Sequence, residues 1–561
     1  MAIIKTAHDL APAAQTEARP LTDGSQGFSR YSYLFEARAA SPDAGLFPGT
    51  SEAGTIERLK TFEVASRPSY LPKPVLQMRL PPVYTYFGQF VNHDLSAPVP
   101  LPSGGAQAAA ETRVIGNQDL GGLDKSARAD VGTILTRVVN AHEAPLTLAS
   151  LYADGPHSRN GAVRALYAED GMRFRLAPTR RVTDAGFLEQ KVNPGAVLHA
   201  RRAWDIPRAD REPQIADLRN DGNLVLCQLH LAMMLLHNKI VDAVAPGHRT
   251  AEDCFGAARG ELTQLYHWLV LNDFLPNLLS RAVVSRPLAT WKSRLRPDQG
   301  VPMEFSTAAF RFGHSMVGQA YDFNGNFGNG GRISTAGATL KQLFDFTSRN
   351  NMEAPGEAAT LQLPDHWVVD WDRMSRPTVA GTVPNPGGAE RIDLQFAPDM
   401  LNIVGASGVV EHGSIMFRNL MRGFHRRMPF GQDLADACGV PRLLPEEVLS
   451  AIPAAPAGAA GLPDLRAVAQ DLGFAKQTPA WLYCLCEAEV REQGQRVGPT
   501  ASHIIADTLV ALVARSPTAL PRHPGDGLLA KSGGPALTTI RDLVLYAVKG
   551  HGNAEADTLP P

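Results

Sequence analysis

The stretch from residue 223 to 244 constrains the fold of this chain more than any other, because it is apolar on every side of a helix. Leucine, valine, methionine and isoleucine fill most of its positions. A helix that is apolar all round belongs in the middle of a large protein or in a membrane. No run of about 18 uninterrupted apolar residues occurs, so we expect no membrane span. The stretch therefore predicts a buried central helix.

Further helical signals surround this centre, and alternating strand patterns are few. A short helix is indicated after Pro81-Pro82, and others at 256–275, 303–317, 414–422, 464–472, 478–492, 501–515 and 537–548. Glycine, proline and asparagine indicate loops at 97–130, 321–331, 377–388 and 453–463. The 561 residues are 44% hydrophobic and can bury a large core. We predict a mainly α fold with long loops and little β structure. It consists of an irregular N-terminal arm (1–80), one large helical domain (81–550) and a C-terminal tail (551–561).

The charge balance and the cysteines exclude several classes of protein. The formal net charge is -2, so no basic excess points to nucleic acid. Five cysteines without a CxxC pair argue against a disulfide framework and favour a reducing compartment. The N-terminus lacks the apolar stretch of about 7–15 residues that a signal peptide needs. We expect a cytoplasmic protein, or one exported without a cleaved signal peptide.

The segment Tyr84–Leu95 is the first that carries chemistry. On a helix, Gln89 and His93 project from one face because they are four residues apart. Asp94 points about 100° away from His93, since an α-helix has about 3.6 residues per turn. A lone histidine is as a rule a core or surface residue, but this one stands in the context Phe-Gly-Gln-Phe-Val-Asn-His-Asp.

Three other segments place arginine, histidine and asparagine at helical spacing. Arg219 stands just ahead of the apolar helix, which contains His237-Asn238 in its second half. His314 closes the segment Phe-Arg-Phe-Gly-His, in which Arg311 precedes it by about one turn. Asn419 and Arg422 are three apart and share a helix face.

In this order, the four segments resemble the motifs of animal-type haem peroxidases, in the peroxidase–cyclooxygenase superfamily, and suggest a bacterial-like member. The likeness extends over about residues 80–550 and includes Asn272-Asp-Phe-Leu-Pro276. It implies a mainly helical haem-peroxidase domain with the haem in a central bundle, which agrees with the helix pattern.

The resemblance assigns a role to each residue on the peroxide side of the haem. His93 is the acid–base catalyst toward hydrogen peroxide, and Gln89 lines its pocket. Arg219 is the catalytic arginine that stabilises charge on the leaving oxygen.

On the other side of the haem, the resemblance makes His314 the axial ligand of the iron. Asn419 accepts the imidazole N–H of His314 through its side-chain oxygen, as outer partners of metal-bound histidines do. Arg311 and Arg422 pair with the haem propionates, since a guanidinium suits carboxylate recognition.

The chain departs from the family at the positions that esterify the haem in many relatives. Asn92 stands before the catalytic histidine and Gly222 stands three residues after the arginine, where relatives carry acids. Asp221 is adjacent to Gly222 but offset. An amide and a glycine cannot form esters, so we predict non-covalent haem b.

Two further places suggest metal ligands. By resemblance Asp94 is a calcium ligand, but Thr147 and Ala149 stand where the family loop supplies further oxygen ligands. Calcium takes about 6–8 oxygens, which makes Asp94 alone a weak site. His230 and His237 are seven apart and are either metal ligands or buried hydrogen-bonded histidines, of which we favour the second.

The function expected from these residues is peroxidase activity with hydrogen peroxide and a small-molecule electron donor, organic or halide. One alternative is a fatty-acid dioxygenase of the cyclooxygenase branch, which needs a radical-forming tyrosine where this chain has Arg311. Another is a haem-binding protein that has lost turnover. Nothing in the sequence indicates an oligomeric state.

Overall fold

The structure, a computed structural model, describes residues 4–5, 29–69, 78–100, 128–142, 146–180, 203–209, 212–345, 347, 362–377, 388–404, 414–454, 464–516 and 521–550. The α-helices of eight or more residues are Glu52–Ser66, Val83–Leu95, Leu224–Val244, Ala251–Leu269, Ile415–His425, Gly431–Cys438, Ala480–Glu492, Pro499–Arg515 and Ile540–Val548. Shorter α-helices are Glu36–Ala40, Val131–Arg137, Ala149–Tyr152, Gly161–Arg164, Leu275–Leu278, Arg281–Val284, Met303–Thr307, Leu340–Asp345, Trp371–Ser375, Pro445–Ala451, Leu465–Asp471 and Leu528–Lys531. Turns of 3-10 helix include Leu218–Asp221 and Ala309–His314.

Strands are short and form small sheets of two or three strands. Ile4–Lys5 pairs in parallel with Ile403–Val404. The antiparallel pairs are Ser29–Arg30 and Pro98–Pro100 with Val138–Asn140, Ala177–Pro178 with Trp204–Asp205, Arg208–Ala209 with Glu212–Pro213, and Ala320–Tyr321 with Ala338–Thr339. The prediction of a mainly helical fold with little β structure is confirmed.

The apolar stretch forms the helix Leu224–Val244, here called the central helix, as predicted. Asn223 caps its first turn by accepting the N–H of Leu226. Three helices pack around it: Val83–Leu95, Ala251–Leu269 and Ile540–Val548. By length and composition it could cross a membrane, yet 89% of its apolar window is buried inside the protein. It is therefore a core helix.

Two helix predictions need correction. The helix expected at 256–275 begins earlier, at Ala251, and becomes a π-helix over Val270–Phe274. The segment 303–317 is not one helix, because the chain leaves helical geometry at Ala308 between Met303–Thr307 and Ala309–His314. Phe305 and Phe310, on either side of this break, stack with their ring centroids 4.5 Å apart, so a local ring contact accompanies the break.

The N-terminal arm is less irregular than the sequence suggested. It contains the 15-residue helix Glu52–Ser66, which Ser51 caps by accepting the N–H of Gly54. Ile56, Leu59 and Phe62 are buried on one side of it, where it packs against Ile415–His425. The predicted loops 97–130, 377–388 and 453–463 lie mostly outside the described residues, and the tail 551–561 lies outside them.

The five cysteines are buried, and none is paired in a disulfide.

Candidate functional site

His93 lies on the helix Val83–Leu95, here called the His93 helix, and is fully buried. Its Nδ1 is 2.8 Å from Oδ1 of Asn220. An amide oxygen only accepts hydrogen bonds, so Nδ1 carries the proton and Nε2 the lone pair. Burial, and then the charge of Arg219, lower the pKa of His93 well below its usual 6.5. The ring is therefore neutral near pH 7.

Arg219 lies in the 3-10 turn Leu218–Asp221, here called the Arg219 turn, which packs against the His93 helix. Its guanidinium forms a buried ion pair with Asp217, with Nε 2.9 Å from Oδ1. It also donates to the carbonyls of Ser96 at 2.8 Å and His93 at 2.9 Å. A helix leaves its last carbonyls unpaired and carries partial negative charge there. Arg219 therefore braces the end of the helix that presents His93.

Two further side chains donate hydrogen bonds to carbonyls at the end of the His93 helix. His142 donates through Nε2 to the carbonyl of His93 at 2.7 Å. Asn140 donates through Nδ2 to the carbonyl of Leu95 at 2.8 Å. With Arg219, these groups bind the carbonyls of His93, Leu95 and Ser96 and fix the backbone at His93.

Gln89 is tied to the start of the central helix. Its Oε1 accepts a hydrogen bond from Nδ2 of Asn223 at 3.1 Å, while the side-chain oxygen of Asn223 caps the central helix. The structure thus brings Gln89, His93 and Arg219 together where three elements meet. The sequence analysis assigned no role to Asn220 and Asn223, although both lie in the polar segment that precedes the apolar helix.

His314 ends the turn Ala309–His314, here called the His314 turn, and is half-buried. Its Nδ1 lies 3.0 Å from Nδ2 of Asn419, on the helix Ile415–His425. The prediction that Asn419 accepts through its oxygen is therefore wrong for this structure. The amide nitrogen also donates to the carbonyl of Ile415 at 2.9 Å, which fixes this orientation. The buried Oδ1 of Asn419 has no hydrogen-bond partner among the described residues.

Three arginines lie close together at the His314 turn. Arg311 belongs to the turn itself, and Arg422 and Arg426 lie near it. Burial, followed by the charges of Arg422 and Arg426, lowers the pKa of Arg311 well below its usual value. Burial lowers the pKa of Arg422 to about 10. Within the described ranges, neither Arg311 nor Arg422 forms an ion pair with a carboxylate. Cations withdrawn from water need an anionic partner. Arg426, one turn after Arg422, was not singled out from the sequence.

These surroundings fit a haem. A Cβ built on Gly313 would meet nothing within 4 Å, so open space adjoins the backbone beside His314. Histidine is a common axial ligand of haem iron. Arg311 and Arg422 suit two propionate carboxylates, because a guanidinium binds a carboxylate with two parallel hydrogen bonds.

The positions that would esterify a haem offer no carboxylate. Gly222 follows the Arg219 turn and Asn92 is an amide. Asp221 is fully buried, and both of its oxygens accept hydrogen bonds from Arg208, at 2.8 and 2.9 Å. A carboxylate held in this ion pair is not placed to form an ester.

The residues around Asp94 do not fit calcium. Asp94 is fully buried, and its two oxygens accept the backbone N–H groups of Leu148 at 3.0 Å and Ser150 at 3.1 Å. Leu146 and Leu148 have φ of 62° and 57°, left-handed values that are uncommon outside glycine. The carbonyl of Leu146 accepts from Nε2 of His267. Calcium needs oxygen ligands, whereas this loop turns N–H groups toward the carboxylate.

His230 and His237 are buried hydrogen-bonded residues, as favoured from the sequence. Burial lowers the pKa of each to about 4. Nδ1 of His230 is 3.0 Å from Nδ2 of Asn220, and Nδ1 of His237 is 2.9 Å from the hydroxyl of Tyr152. In the part of the chain that the structure describes, no three potential metal ligands of the His, Cys, Asp and Glu types cluster.

Part of the chain is similar to a family of known proteins. The family model described as animal haem peroxidase matches residues 175–356. This range contains the Arg219 turn, the central helix and the His314 turn, but not the His93 helix. Human thyroid peroxidase is 23% identical over 236 residues, which cover 40% of this chain and 23% of that protein. The chain spans less than a third of the length of the curated relatives it matches.

Solved structures resemble the whole chain. Peroxidase A from Dictyostelium discoideum superposes with a TM-score of 0.53 at 15% identity, over 100% of this chain and 99% of that one. The two proteins therefore share a fold. A fatty acid alpha-dioxygenase from Arabidopsis thaliana gives a TM-score of 0.48 at 10% identity, over 100% of this chain and 86% of that one.

Proposed function

This chain belongs to the animal haem peroxidase family, and we propose that it is a haem-dependent peroxidase that reduces hydrogen peroxide while oxidising a small organic or halide donor. The proposal rests on the burial, charge and hydrogen bonding of the His93 ring. Its ring is buried and neutral, and its Nδ1 is bonded to Asn220, so Nε2 is the basic atom. Peroxide reduction needs a group that takes a proton from one oxygen and returns it to the other. A neutral histidine can act as this base and then as the acid.

We propose that His314 would bind the iron of a haem b and that Arg311 and Arg422 would hold its propionates. Binding iron needs the lone pair on Nε2 of His314, so the amide of Asn419 would have to turn and accept the Nδ1–H through its oxygen, which has no partner among the described residues. When bound, the haem would supply the iron at which the O–O bond of peroxide breaks. It would also supply the electrons for this reduction, which the donor then replaces. The haem is held without covalent bonds, since Asn92 and Gly222 cannot form esters and Asp221 is paired with Arg208.

Arg219 has two parts in this proposal. Its hydrogen bonds to the carbonyls of His93 and Ser96 hold the catalytic ring in position. Its fixed positive charge also favours the negative charge that develops on the leaving oxygen. Direct contact between Arg219 and that oxygen remains a prediction.

Arg311 favours a peroxidase over a fatty-acid dioxygenase. The dioxygenases of the cyclooxygenase branch need a radical-forming tyrosine at this position. A guanidinium cannot replace a phenol in that role, and the Nε of Arg311 donates to the carbonyl of Ser306 at 2.8 Å.

The test is the rate of reaction with peroxide in the variant His93→Ala, followed by stopped-flow absorbance of the haem-loaded protein. Loss of general acid–base help should slow the reaction by about 10²–10⁴-fold while the haem stays bound. His157→Ala removes an exposed histidine and serves as the control, with an unchanged rate. Normal activity of His93→Ala would refute the assignment.

Oxygen uptake with linoleate would favour the dioxygenase. A haem-loaded wild type without peroxide-dependent oxidation of guaiacol or bromide would favour a protein without turnover.

A further inference from the structure

Asn220 lies between two buried histidines that come from different helices. Its Oδ1 is 2.8 Å from Nδ1 of His93, and its Nδ2 is 3.0 Å from Nδ1 of His230 on the central helix. All three side chains are at most 1% exposed. The amide thus links the proposed catalytic ring to the core.

We propose that Asn220 is a positioning residue that holds His93 in the Nδ1–H tautomer, so that Nε2 is the proton acceptor toward peroxide. The geometry of the link is independent of function, but its catalytic meaning rests on the peroxidase activity proposed above. Asn220 follows Arg219 directly in the chain. One residue therefore fixes the backbone of His93 and the next fixes its ring.

The two ends of the amide require opposite tautomers in the two histidines. The oxygen can only accept, so His93 carries its proton on Nδ1; the nitrogen can only donate, so His230 carries its proton on Nε2. Rotating the His93 ring would break a buried hydrogen bond and leave the amide oxygen unpaired. Such a buried unpaired group is destabilising. The core therefore selects the tautomer before any substrate arrives.

The lack of charge on Asn220 matters for the protonation state of His93 as much as the position of the amide does. A carboxylate at position 220 would stabilise the imidazolium form of His93, whereas an amide adds no charge. Among the described residues, the charged or titratable groups shown to face His93 are Arg219, His142 and, beyond Arg219, Asp217. Arg219 disfavours a second positive charge nearby, so amide and guanidinium together keep the ring neutral.

The primary experiment is the tautomeric state of the histidine rings in the full-length protein, with any bound haem held in the diamagnetic ferrous–carbon monoxide form. Histidine labelled with ¹⁵N and two-bond ¹⁵N–¹H correlation spectra identify the protonated nitrogen of each ring. The signals are assigned by their loss in His93→Gln and His230→Gln. We expect His93 protonated at Nδ1 and His230 at Nε2. His93 protonated at Nε2 in the wild type would overturn the proposal without the use of any variant at position 220.

Two variants then connect the tautomer to catalysis. Asn220→Leu removes both hydrogen bonds and should give His93 a mixture of tautomers. Its peroxide reaction should slow by about 10–100-fold, the range seen for outer partners of metal-bound histidines. Asn220→Asp should shift the acid limb of the pH–rate profile to higher pH, because the carboxylate favours protonated His93. Asn272→Leu, the same change at an exposed position, is the control and should alter neither readout.

The outcomes separate this proposal from the proposed function. If the rings have the expected tautomers but the haem-loaded wild type does not react with peroxide, the link stands and the peroxidase proposal fails. If the wild type reacts and Asn220→Leu leaves both the tautomer of His93 and the pH–rate profile unchanged, Asn220 is not a positioning residue.

Discussion

His93 and His314 each stand beside an asparagine, but the two asparagines present opposite atoms. Oδ1 of Asn220 faces Nδ1 of His93 at 2.8 Å, whereas Nδ2 of Asn419 faces Nδ1 of His314 at 3.0 Å. His93 is fully buried on a helix with a braced end. His314 is half-buried at the end of a 3-10 turn, close to three arginines.

The two histidines differ in how many of the polar groups around them have partners within the protein. Around His93, the ring and the helix carbonyls have partners in the protein. Around His314, and within the described residues, Arg311 and Arg422 form no ion pair with a carboxylate and the buried Oδ1 of Asn419 has no hydrogen-bond partner. We infer that the catalytic base is prepared by folding, and that the region of His314 is completed by an anionic ligand. The following predictions, from the largest expected effect to the smallest, test this contrast.

The largest effect is expected from His314→Ala. Removal of the axial ligand should abolish normal haem binding, which appears as a lost or displaced Soret band after reconstitution with haem b. The control His157→Ala should bind haem as the wild type does. An unchanged Soret band in His314→Ala would show that His314 is not the ligand.

Arg219→Met should destabilise the fold strongly, because it leaves the buried carboxylate of Asp217 unpaired and removes the brace from the His93 helix. Breaking a buried ion pair costs about 3–5 kcal/mol, measured as the free energy of unfolding in urea. The double variant Arg219→Met with Asp217→Asn should recover part of this loss. Equal stability of the single and double variants would contradict the buried pair.

Acid should destabilise the protein between about pH 6.5 and 4. Burial lowers the pKa of His142, His230 and His237 from 6.5 to about 4. In this window the unfolded chain binds protons that the folded chain does not, so stability is present above pH 6.5 and is lost as the pH falls. Urea unfolding at several pH values measures the slope, which His237→Gln should reduce. A flat profile would mean that these rings are not held neutral.

The smallest effect is expected from calcium. The carboxylate of Asp94 is occupied by the N–H groups of Leu148 and Ser150, so a chelator should leave the melting temperature unchanged, and added calcium should not raise it. Asp94→Ala should still destabilise the protein by about 1–3 kcal/mol, because two buried donors lose their acceptor. A calcium-dependent melting temperature would reverse the assignment.

The sequence predicted the parts of this molecule that depend on local pattern. The central helix follows from apolar residues on all faces, and Gln89, His93 and Arg219 were expected to act together because they lie in familiar motifs. The link from Asn220 to His93 spans 127 positions along the chain, so no spacing rule indicates it. The same holds for the brace from Arg219 to the carbonyl of His93.

At Asn419 and at Arg219, nearby donors and acceptors compete for the polar atoms of the side chain. Asn419 was expected to offer its oxygen to His314, but the carbonyl of Ile415 takes the same amide nitrogen and sets its orientation. Arg219 was predicted to stabilise charge on the leaving oxygen, and the sequence did not indicate that the helix carbonyls and Asp217 would also engage its guanidinium. A motif names the residue, whereas the surrounding donors and acceptors decide which atom it presents.

Whether the chain brings haem and peroxide together is tested most directly by one optical spectrum of the full-length protein loaded with haem b. We predict a Soret band that depends on His314, shifts within seconds of adding hydrogen peroxide and returns to its starting position when guaiacol or bromide is supplied. A haem-loaded protein whose Soret band does not respond to peroxide would contradict the proposed function.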